Sequence, residues 1–390
     1  MQHSEGAQRA NVPFFRVSLD EEEIAAVVRV LRSGWLTTGG ECAAFEKEFA
    51  AAIGGGVEAV AVNSNTAGLH LALEALGIKE GDEVIVPVLT FTATAEVVRY
   101  LGADPVFADV DPQTLCVTAE AVAQKITPRT RAIMPVHFAG LPCDMAAIAK
   151  LAAERGVPIV EDAAHAFPTS YQGVPVGAHG SAAAVFSFYA NKTITTGEGG
   201  MVVSADKDLV KRIRIMRLHG IDRDVFRRHT DKPGLWRYDV VAPGYKYNLT
   251  DIAAALGRGQ LRRAGELREA RKAIAERYDQ AFAKLPLVLP VKAKGGDASS
   301  YHLYIVQLAE ASPVDRDLFT AALEANGIGY SVHYTPLHQL SYWRERYGLR
   351  DADFPCATGY ARRCVSLPLY PSMNEEEIES VIATIIGAFG

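Results

Sequence analysis

Two titratable residues of this chain stand where a catalytic site could form. Lys192 follows the apolar run 183–188, among hydroxyl side chains and glycines. A lysine alone is far more often a solvated surface charge than a functional group. Asp162 follows a second apolar run at 157–160, so we expect it at the carboxyl end of a buried strand, where open α/β sheets bind ligands. It could simply cap the next helix, or it could pair with a protonated ring nitrogen of a cofactor.

Two other groups of side chains also follow predicted strands. Asn65 and Thr66 belong to a strand-to-helix turn whose free amides and hydroxyls could bind a phosphate group. Such residues also cap helices everywhere, and the turn is neither a Walker loop nor a GxGxxG fingerprint. Phe91 follows the next strand and could stack on a planar ring, although most phenylalanines are core residues. A phosphate site, a carboxylate, an aromatic ring and a lysine at strand ends together fit pyridoxal phosphate.

These strand ends belong to a regular alternation of short apolar runs and helical segments. Runs that are apolar on both faces and separated by helices indicate a mostly parallel sheet covered on both sides, so the predicted fold class is α/β with a seven-stranded sheet. The predicted strands are 59–62, 83–86, 105–107, 132–136, 157–160, 183–188 and 201–204, and the predicted helices between them are 66–76, 93–101 and 144–155.

The two ends of the chain follow other patterns. Ser18 and Glu21 have capping-box spacing ahead of a predicted helix over 24–31, and Gly34 is placed to end it. A long helix is predicted over 258–284, followed by mixed strands and helices. We therefore expect an N-terminal arm and large cofactor-binding domain in residues 1–258, and a connecting helix with a smaller α+β C-terminal domain in residues 259–390.

Composition excludes several classes of protein. The chain has 390 residues and a formal net charge of -6, which argues against a nucleic-acid binder. Its five cysteines are scattered, with neither metal-ligand spacing nor a disulfide pattern, so we expect no metal. Residues 1–11 are polar, and no later stretch is apolar over the length of a membrane span. A cytoplasmic protein with no membrane partner is expected.

Four motifs carry a resemblance to a known family: residues 33–39, 161–166, 187–200 and 243–252. From residue 13 to the C-terminus the chain resembles the DegT family of pyridoxal-phosphate-dependent nucleotide-sugar aminotransferases, which have the aspartate-aminotransferase-like fold (fold type I). Together with residues 135–140, the last motif is most similar to the members that make UDP-4-amino-4-deoxy-arabinose for lipopolysaccharide. Tyr189 stands where those members have histidine, so the sugar stays open.

The resemblance implies a role for particular residues. Lys192 matches the lysine that carries the cofactor, and Asp162 matches the partner of its pyridine nitrogen. The other implied cofactor contacts are Asn65, Thr66 and Ser187 at the phosphate, Phe91 over the ring and His165 near the phenolic oxygen. In the homodimers of this family, a residue of segment 245–248 reaches the phosphate of the neighbouring subunit. Whether Lys246 or Asn248 does so here is left open.

The implied reaction is a ping-pong transamination from L-glutamate, released as 2-oxoglutarate, to a nucleotide-diphosphate keto-sugar. Basic residues in 223–237 are candidates for holding the diphosphate, and the histidines and tyrosine at 333–338 could equally be structural. The candidate sugar contacts are Trp35, Thr37, Thr38, Tyr189, His333, Tyr334 and His338.

Several alternatives remain on the same scaffold. They are an aminotransferase for a 3-keto-sugar, a cyclitol or an amino-benzoate-type substrate, a sugar dehydratase, and a regulator that binds cofactor or sugar nucleotide without turnover. Family members that are dehydratases replace the lysine by histidine, so Lys192 favours transamination. The sequence contains no appended helix-turn-helix or basic domain that would favour a regulator.

Overall fold

The structure, a computed structural model, describes residues 11–222 and 238–390. Helix α1 (Glu21–Ser33) confirms the first predicted helix, and Gly34 ends it in the left-handed conformation as expected. Its cap is Asp20, whose carboxylate accepts from the Glu23 amide while the Glu23 side chain accepts from the Asp20 amide. The predicted cap at Ser18 is wrong because two pairs of residues have the same spacing, and the pattern could not choose between them.

The described chain from residue 40 to residue 216 contains nine strands and six further α-helices. The strands are β1 (Glu58–Val62), β2 (Glu83–Pro87), β3 (Asp104–Ala108), β4 (Thr130–Ile133), β5 (Val160–Asp162), β6 (Ser170–Tyr171), β7 (Val174–Pro175), β8 (Ala183–Ser187) and β9 (Gly200–Ser204). The helices are α2 (Gly40–Ile53), α3 (Asn65–Ala75), α4 (Ala93–Tyr100), α5 (Ala119–Ala123), α6 (Met145–Arg155) and α7 (Lys207–Met216).

Seven of these strands form one central layer in the order β3-β2-β4-β5-β8-β9-β1. Parallel bridges between Ile133 and Ile159 and between Val136 and Asp162 join its two halves. Only β9 runs against the others, since it pairs antiparallel with both β8 and β1. The predicted mostly parallel sheet is therefore confirmed. Because most strands run the same way, their carboxyl ends meet along one edge of the layer.

Part of the remaining chain forms a second layer of mixed structure, whereas Leu337, Trp343 and Phe354 pack into the core of the large sheet. An antiparallel sheet β10-β11-β12 is covered by helices, and its core includes Tyr278, Phe282 and Phe319. The proposed division at residue 258 lies inside the long helix α8. The elements are α8 (Asp251–Phe282), β10 (Leu287–Val288), β11 (Tyr304–Leu308), α9 (Arg316–Ala325), α10 (Ser341–Tyr347), α11 (Pro355–Ala361), β12 (Cys364–Leu367) and α12 (Glu375–Gly387), with 3₁₀ turns at Phe138–Gly140, Leu337–Gln339 and Asp351–Asp353.

The described N-terminal arm connects the two layers. Val12 exchanges backbone hydrogen bonds with Gly327 and Gly329, and Arg16 forms an ion pair of 2.8 Å with Glu377. The arm then leads into α1, which packs on α8. The two layers are therefore tied together both by this arm and by the long helix.

Three further observations concern the described residues. None of their helices combines the length and apolar character needed to cross a membrane. They include no group of three or more histidine, cysteine or acidic side chains that could hold a metal ion. All five cysteines are present as free thiols.

Candidate active site

A cavity of about 360 Å³ opens at the carboxyl edge of the large sheet. It brings together side chains from five strand-end segments and from the 333–334 segment of the small domain. The predicted site residues that line it are Asn65, Thr66, Phe91, Asp162, His165, Ser187, Tyr189, Lys192, His333 and Tyr334. Residues separated by more than two hundred positions in sequence thus share one wall.

Asp162 is a buried carboxylate at the end of β5. Its Oδ2 accepts from the Thr94 hydroxyl at 2.8 Å, and its Oδ1 accepts from the Ala164 amide at 3.1 Å and the Asn65 amide group at 3.4 Å. Burial raises the pKa of Asp162, while the bond from Thr94 and the charge of Lys192 act in the opposite direction. The three donors orient the carboxylate and favour its ionised form.

The first turn of α3 forms one end of the cavity. Ser64 caps this helix by accepting from the Ala67 amide at 3.1 Å, which leaves the amides of Asn65 and Thr66 at the helix start facing the same side. The Asn65 side chain is already engaged, since it donates to the Val185 carbonyl at 2.8 Å. A phosphate bound here would therefore meet the main-chain amide of Asn65 and the helix dipole.

Gly200 allows β9 to approach this turn. A Cβ atom at Gly200 would lie 2.7 Å from the Ser64 carbonyl carbon and 2.8 Å from the Asn65 amide nitrogen. Any larger residue would force the strand and the turn apart. Glycine is thus required here by close contact of two backbone segments.

Lys192 is half-buried and extends from the loop after β8 into the cavity. Its Nζ lies 3.3 Å from His302 Nε2. Burial lowers the pKa of Lys192 to about 8, an effect that the charge of Arg271 increases and that of Asp162 opposes. Near neutral pH a useful fraction of this side chain is therefore a neutral amine, the form that acts as a nucleophile or base.

His165 and Tyr334 form a hydrogen-bonded pair on the cavity wall. The Ala139 amide donates to His165 Nδ1 at 3.2 Å, so the neutral ring carries its proton on Nε2 and donates to the Tyr334 hydroxyl at 3.0 Å. Burial holds the pKa of His165 well below its usual value and raises that of Tyr334. Both side chains stay neutral near pH 7, which leaves the Tyr334 hydroxyl proton available to an acceptor.

Three other predicted residues complete the wall. The Phe91 ring is 58% exposed and lies 5.8 Å from the Tyr334 ring, so it could cover a planar ligand. Tyr189 is also exposed at the cavity mouth. His333 Nδ1 lies 2.8 Å from the Ser366 hydroxyl, and burial lowers the pKa of His333 to about 4.

The other predicted residues lie outside this cavity. Asn248 donates to the Thr38 hydroxyl at 2.7 Å, Thr37 accepts from the Asp251 amide, and Trp35 donates to the Thr38 carbonyl. His338 is buried, with its Nε2 2.8 Å from the Thr358 hydroxyl. Lys246 is exposed. The basic residues of 223–237 lie outside the described part of the chain.

Several residues at or beside the site were not predicted as site residues from the sequence, among them Thr94, His302, Arg271 and Asn191. Thr94 lies in the same strand-end motif as Phe91, one helical turn later, and this spacing was the available signal. His302, Arg271 and Asn191 had no such signal, because the first two come from distant segments that only the fold brings to Lys192.

The geometry suits a ligand with a phosphate group, a planar aromatic ring and a reactive carbonyl. The start of α3 supplies amides and a helix dipole, Asp162 supplies a buried carboxylate, Phe91 supplies an open ring face and Lys192 supplies an amine. Pyridoxal phosphate has these chemical features, and the residues present fit it.

Nearly the whole chain is similar to known aminotransferases. A sequence model described as the DegT/DnrJ/EryC1/StrS aminotransferase family matches residues 17–386. The spore coat polysaccharide biosynthesis protein SpsC of Bacillus subtilis is 43% identical over 376 residues, which are 96% of this chain and 96% of that protein.

Solved structures agree over nearly the whole chain. The sugar aminotransferase Spr1654 of Streptococcus pneumoniae in its PMP form has a TM-score of 0.90 at 34% identity, over 97% of this chain and 99% of that chain. PseC of Helicobacter pylori, an aminotransferase involved in pseudoaminic acid biosynthesis, has a TM-score of 0.88 at 28% identity, over 97% and 99%. These matches confirm the expected fold type I.

Proposed function

Because this chain belongs to the DegT/DnrJ/EryC1/StrS aminotransferase family, we propose that it transfers the amino group of L-glutamate to a nucleotide-linked 4-keto-sugar. The chain is a pyridoxal-phosphate-dependent sugar aminotransferase. The amino donor, the nucleotide of the substrate and the sugar carbon that receives the amino group are the parts that we propose. The observation that carries the assignment of roles is that Lys192 and Asp162 line one cavity.

Pyridoxal phosphate, when bound, supplies an electron-withdrawing ring that stabilises negative charge at the carbon that loses its proton. In our proposal Asp162 holds the proton of the pyridine nitrogen, since its carboxylate is buried and oriented by Thr94 and Ala164. A fixed negative charge at that nitrogen keeps it protonated. Asp162 thereby tunes the ring without itself exchanging protons during turnover.

Lys192 carries the cofactor and, once displaced, acts as the general base. Its pKa of about 8 lies close to physiological pH, where a base can both accept and return a proton. The amine is also held by His302, at 3.3 Å from Nζ. The lysine thus moves one proton at its Nζ in each half-reaction, first from the amino donor and later to the amino sugar.

The phosphate group is assigned to the start of α3. Asn65, Thr66 and Ser187 line the cavity at that end, so the amides of the first two and the hydroxyls of Thr66 and Ser187 are the groups proposed to bind it. The exposed ring of Phe91 would cover the cofactor ring. The neutral donor pair of His165 and Tyr334 is assigned to the phenolic oxygen side, with Tyr334 providing the free proton.

For the sugar, the residues that the structure supports are Tyr189 and His333, which line the cavity with Tyr334. SpsC is a spore coat polysaccharide biosynthesis protein, and PseC is involved in the biosynthesis of pseudoaminic acid. The similarity to SpsC supports a product destined for a surface polysaccharide. An arabinose-type 4-keto-pentose, a 4-keto-hexose, a 3-keto-sugar and a cyclitol remain to be distinguished by assay.

We further propose that the enzyme is a homodimer in which Lys246 reaches the cofactor phosphate of the partner. The side chain of Lys246 is exposed, whereas the Asn248 amide group is engaged within its own chain by Thr38. Active sites that share residues across a two-fold interface require both subunits. A monomer that sediments as such and retains full activity would contradict this part.

The test of function is the variant Lys192→Ala, with Lys211→Ala as the matched control because Lys211 is exposed on α7. We expect Lys192→Ala to abolish turnover and the visible absorbance of the bound cofactor without unfolding the protein, and the control to change neither. Turnover is measured by mass spectrometry of the products from glutamate and UDP-linked 4-keto-pentose, 4-keto-hexose or an inosose. Retained turnover in Lys192→Ala would refute the assignment.

A further inference from the structure

A second, much smaller cavity lies on another side of Lys192. Its volume is about 10 Å³, and it shares only Asn191 and Lys192 with the main cavity. Arg271 of α8 and Ser18 of the N-terminal arm also line it. Of the residues proposed to bind the cofactor, only Lys192 lines this small cavity. The polar groups of the small cavity therefore need an explanation of their own.

Arg271 is the unusual group in this cluster. Its side chain is 3% exposed, and its guanidinium donates to the carbonyls of Leu369 at 2.6 Å and His302 at 3.3 Å. Within residues 11–222 and 238–390, its Nε has no hydrogen-bond partner and no carboxylate forms an ion pair with it. A buried cation without a counter-charge is costly.

The second group is His302, which Arg271 holds by its main chain. The His302 ring places Nε2 at 3.3 Å from Lys192 Nζ and packs 4.4 Å from the His165 ring. An ammonium group at Lys192 would donate to this nitrogen. Arg271 therefore acts on Lys192 in two ways, through the segment that carries His302 and through its own unneutralised charge.

We propose that Arg271 is a positioning residue for Lys192: it holds His302 against the amine, and its positive charge favours the neutral amine over the ammonium. The proposal rests on the proposed role of Lys192 as the reacting amine. One water molecule in the small cavity would complete the arrangement, because about 10 Å³ holds a single water and both Arg271 and Asn191 have one unpartnered buried polar atom among the described residues.

The charges that face Lys192 make the direction of the effect clear. Asp162 favours the ammonium, whereas Arg271 and burial favour the neutral amine. The three histidines nearby are neutral at pH 7, because burial lowers the pKa of each: His165, His302 and His333. Among the described residues, Arg271 is thus the positive charge that opposes the effect of Asp162 on the protonation of Lys192.

The test uses the cofactor-free full chain, so it does not depend on activity. Reaction of Lys192 with trinitrobenzenesulfonate is followed by peptide mass spectrometry from about pH 6 to about pH 10, with the exposed Lys211 as an internal control. Arg271→Gln keeps hydrogen-bond donors but removes the charge, so we expect the pKa of Lys192 to rise by about one unit and its reactivity at neutral pH to fall about tenfold. Arg271→Lys keeps the charge and should restore the wild-type profile.

Arg271→Gln and His302→Leu should shift the reactivity of Lys192 in opposite directions, which separates the two parts of the proposal. His302→Leu removes the acceptor of the ammonium, so Lys192 should become more reactive at neutral pH; an unchanged Lys192 profile in this variant would overturn the proposal even if Arg271→Gln does not fold. A wild-type Lys192 profile in Arg271→Gln, or an equal shift in Arg271→Lys, would overturn the proposal and leave Arg271 a structural residue. Failure of the proposed function would appear instead as turnover in Lys192→Ala.

Discussion

The variant Thr94→Val removes the hydroxyl that donates to Asp162 Oδ2 at 2.8 Å while nearly preserving the shape of the side chain. A hydrogen bond to a charged group contributes about 1.5–3 kcal/mol to stability. Burial already raises the pKa of Asp162, and the bond from Thr94 is the largest influence in the opposite direction. Without it the carboxylate loses a donor, and the pKa rises further.

The rise in the pKa of Asp162 determines how the destabilisation by Thr94→Val depends on pH. A carboxyl group whose folded-state pKa lies above its unfolded value of about 3.9 destabilises the folded state as the pH rises from the unfolded pKa to the folded pKa. Thr94→Val raises the folded-state pKa of Asp162 and so widens this pH range. The pH-dependent part of its cost should therefore be complete at pH values above the raised folded-state pKa and disappear below about pH 3.9, where both states bind the proton.

A double-mutant cycle with Asp162→Asn isolates the interaction. Urea unfolding of the cofactor-free protein near neutral pH should give about 1.5–3 kcal/mol for Thr94→Val alone and at least about 1 kcal/mol less in the Asp162→Asn background. Thr320→Val is the matched control, because its hydroxyl bonds to the Arg316 carbonyl in the small domain and should be additive with Asp162→Asn. Additivity of Thr94→Val within about 0.5 kcal/mol would refute the reasoning.

Two other substitutions test the cofactor cradle. Phe91→Ala should weaken cofactor binding by about 1 kcal/mol, or roughly fivefold in Kd by absorbance titration, with little change in stability because the ring is 58% exposed; an unchanged Kd would count against the stacking role. Gly200→Ala should cost about 1–3 kcal/mol and also weaken cofactor binding, since its Cβ would lie 2.7 Å from Ser64 and 2.8 Å from Asn65. Gly359→Ala, which meets nothing within 4 Å, is its control, and equal unfolding midpoints for the two would contradict the prediction.

The strands of the large sheet were predictable because most of them, such as β2, β8 and β9, are buried on both faces, which produces a short continuous apolar run. The run at 183–188, for example, corresponds to β8 (Ala183–Ser187). The start of α8 was placed seven residues too late, since the helix begins at Asp251 after the Thr250 cap. Glycines lower helix propensity, yet Gly257 is required there because a Cβ would lie 2.7 Å from both Phe45 and Thr196. That packing constraint cannot be read from the sequence.

The candidate site was predictable to the extent that it is made of strand ends. Lys192, Asp162 and Phe91 each follow a buried parallel strand, and parallel strands deliver such residues to one edge. Some predicted site residues are instead held by hydrogen bonds elsewhere in the fold, and the sequence could not distinguish them from residues that line the cavity. Thr38 and Asn248 satisfy each other away from the cavity, and the chain carries no local sign of that pairing.

The local pattern of hydrophobic runs, turns and polar residues was sufficient to determine the layered sheet, the edge at which ligands bind and the side chains that emerge there, because these depend on short-range periodicity and on the direction of the strands. Only the tertiary structure decided which distant groups set the properties of the lysine. His302 lies 110 residues from Lys192 in sequence, and Arg271 reaches it from the long helix. Burial and nearby charge control the protonation of an amine, and both arise only when the two layers close around it.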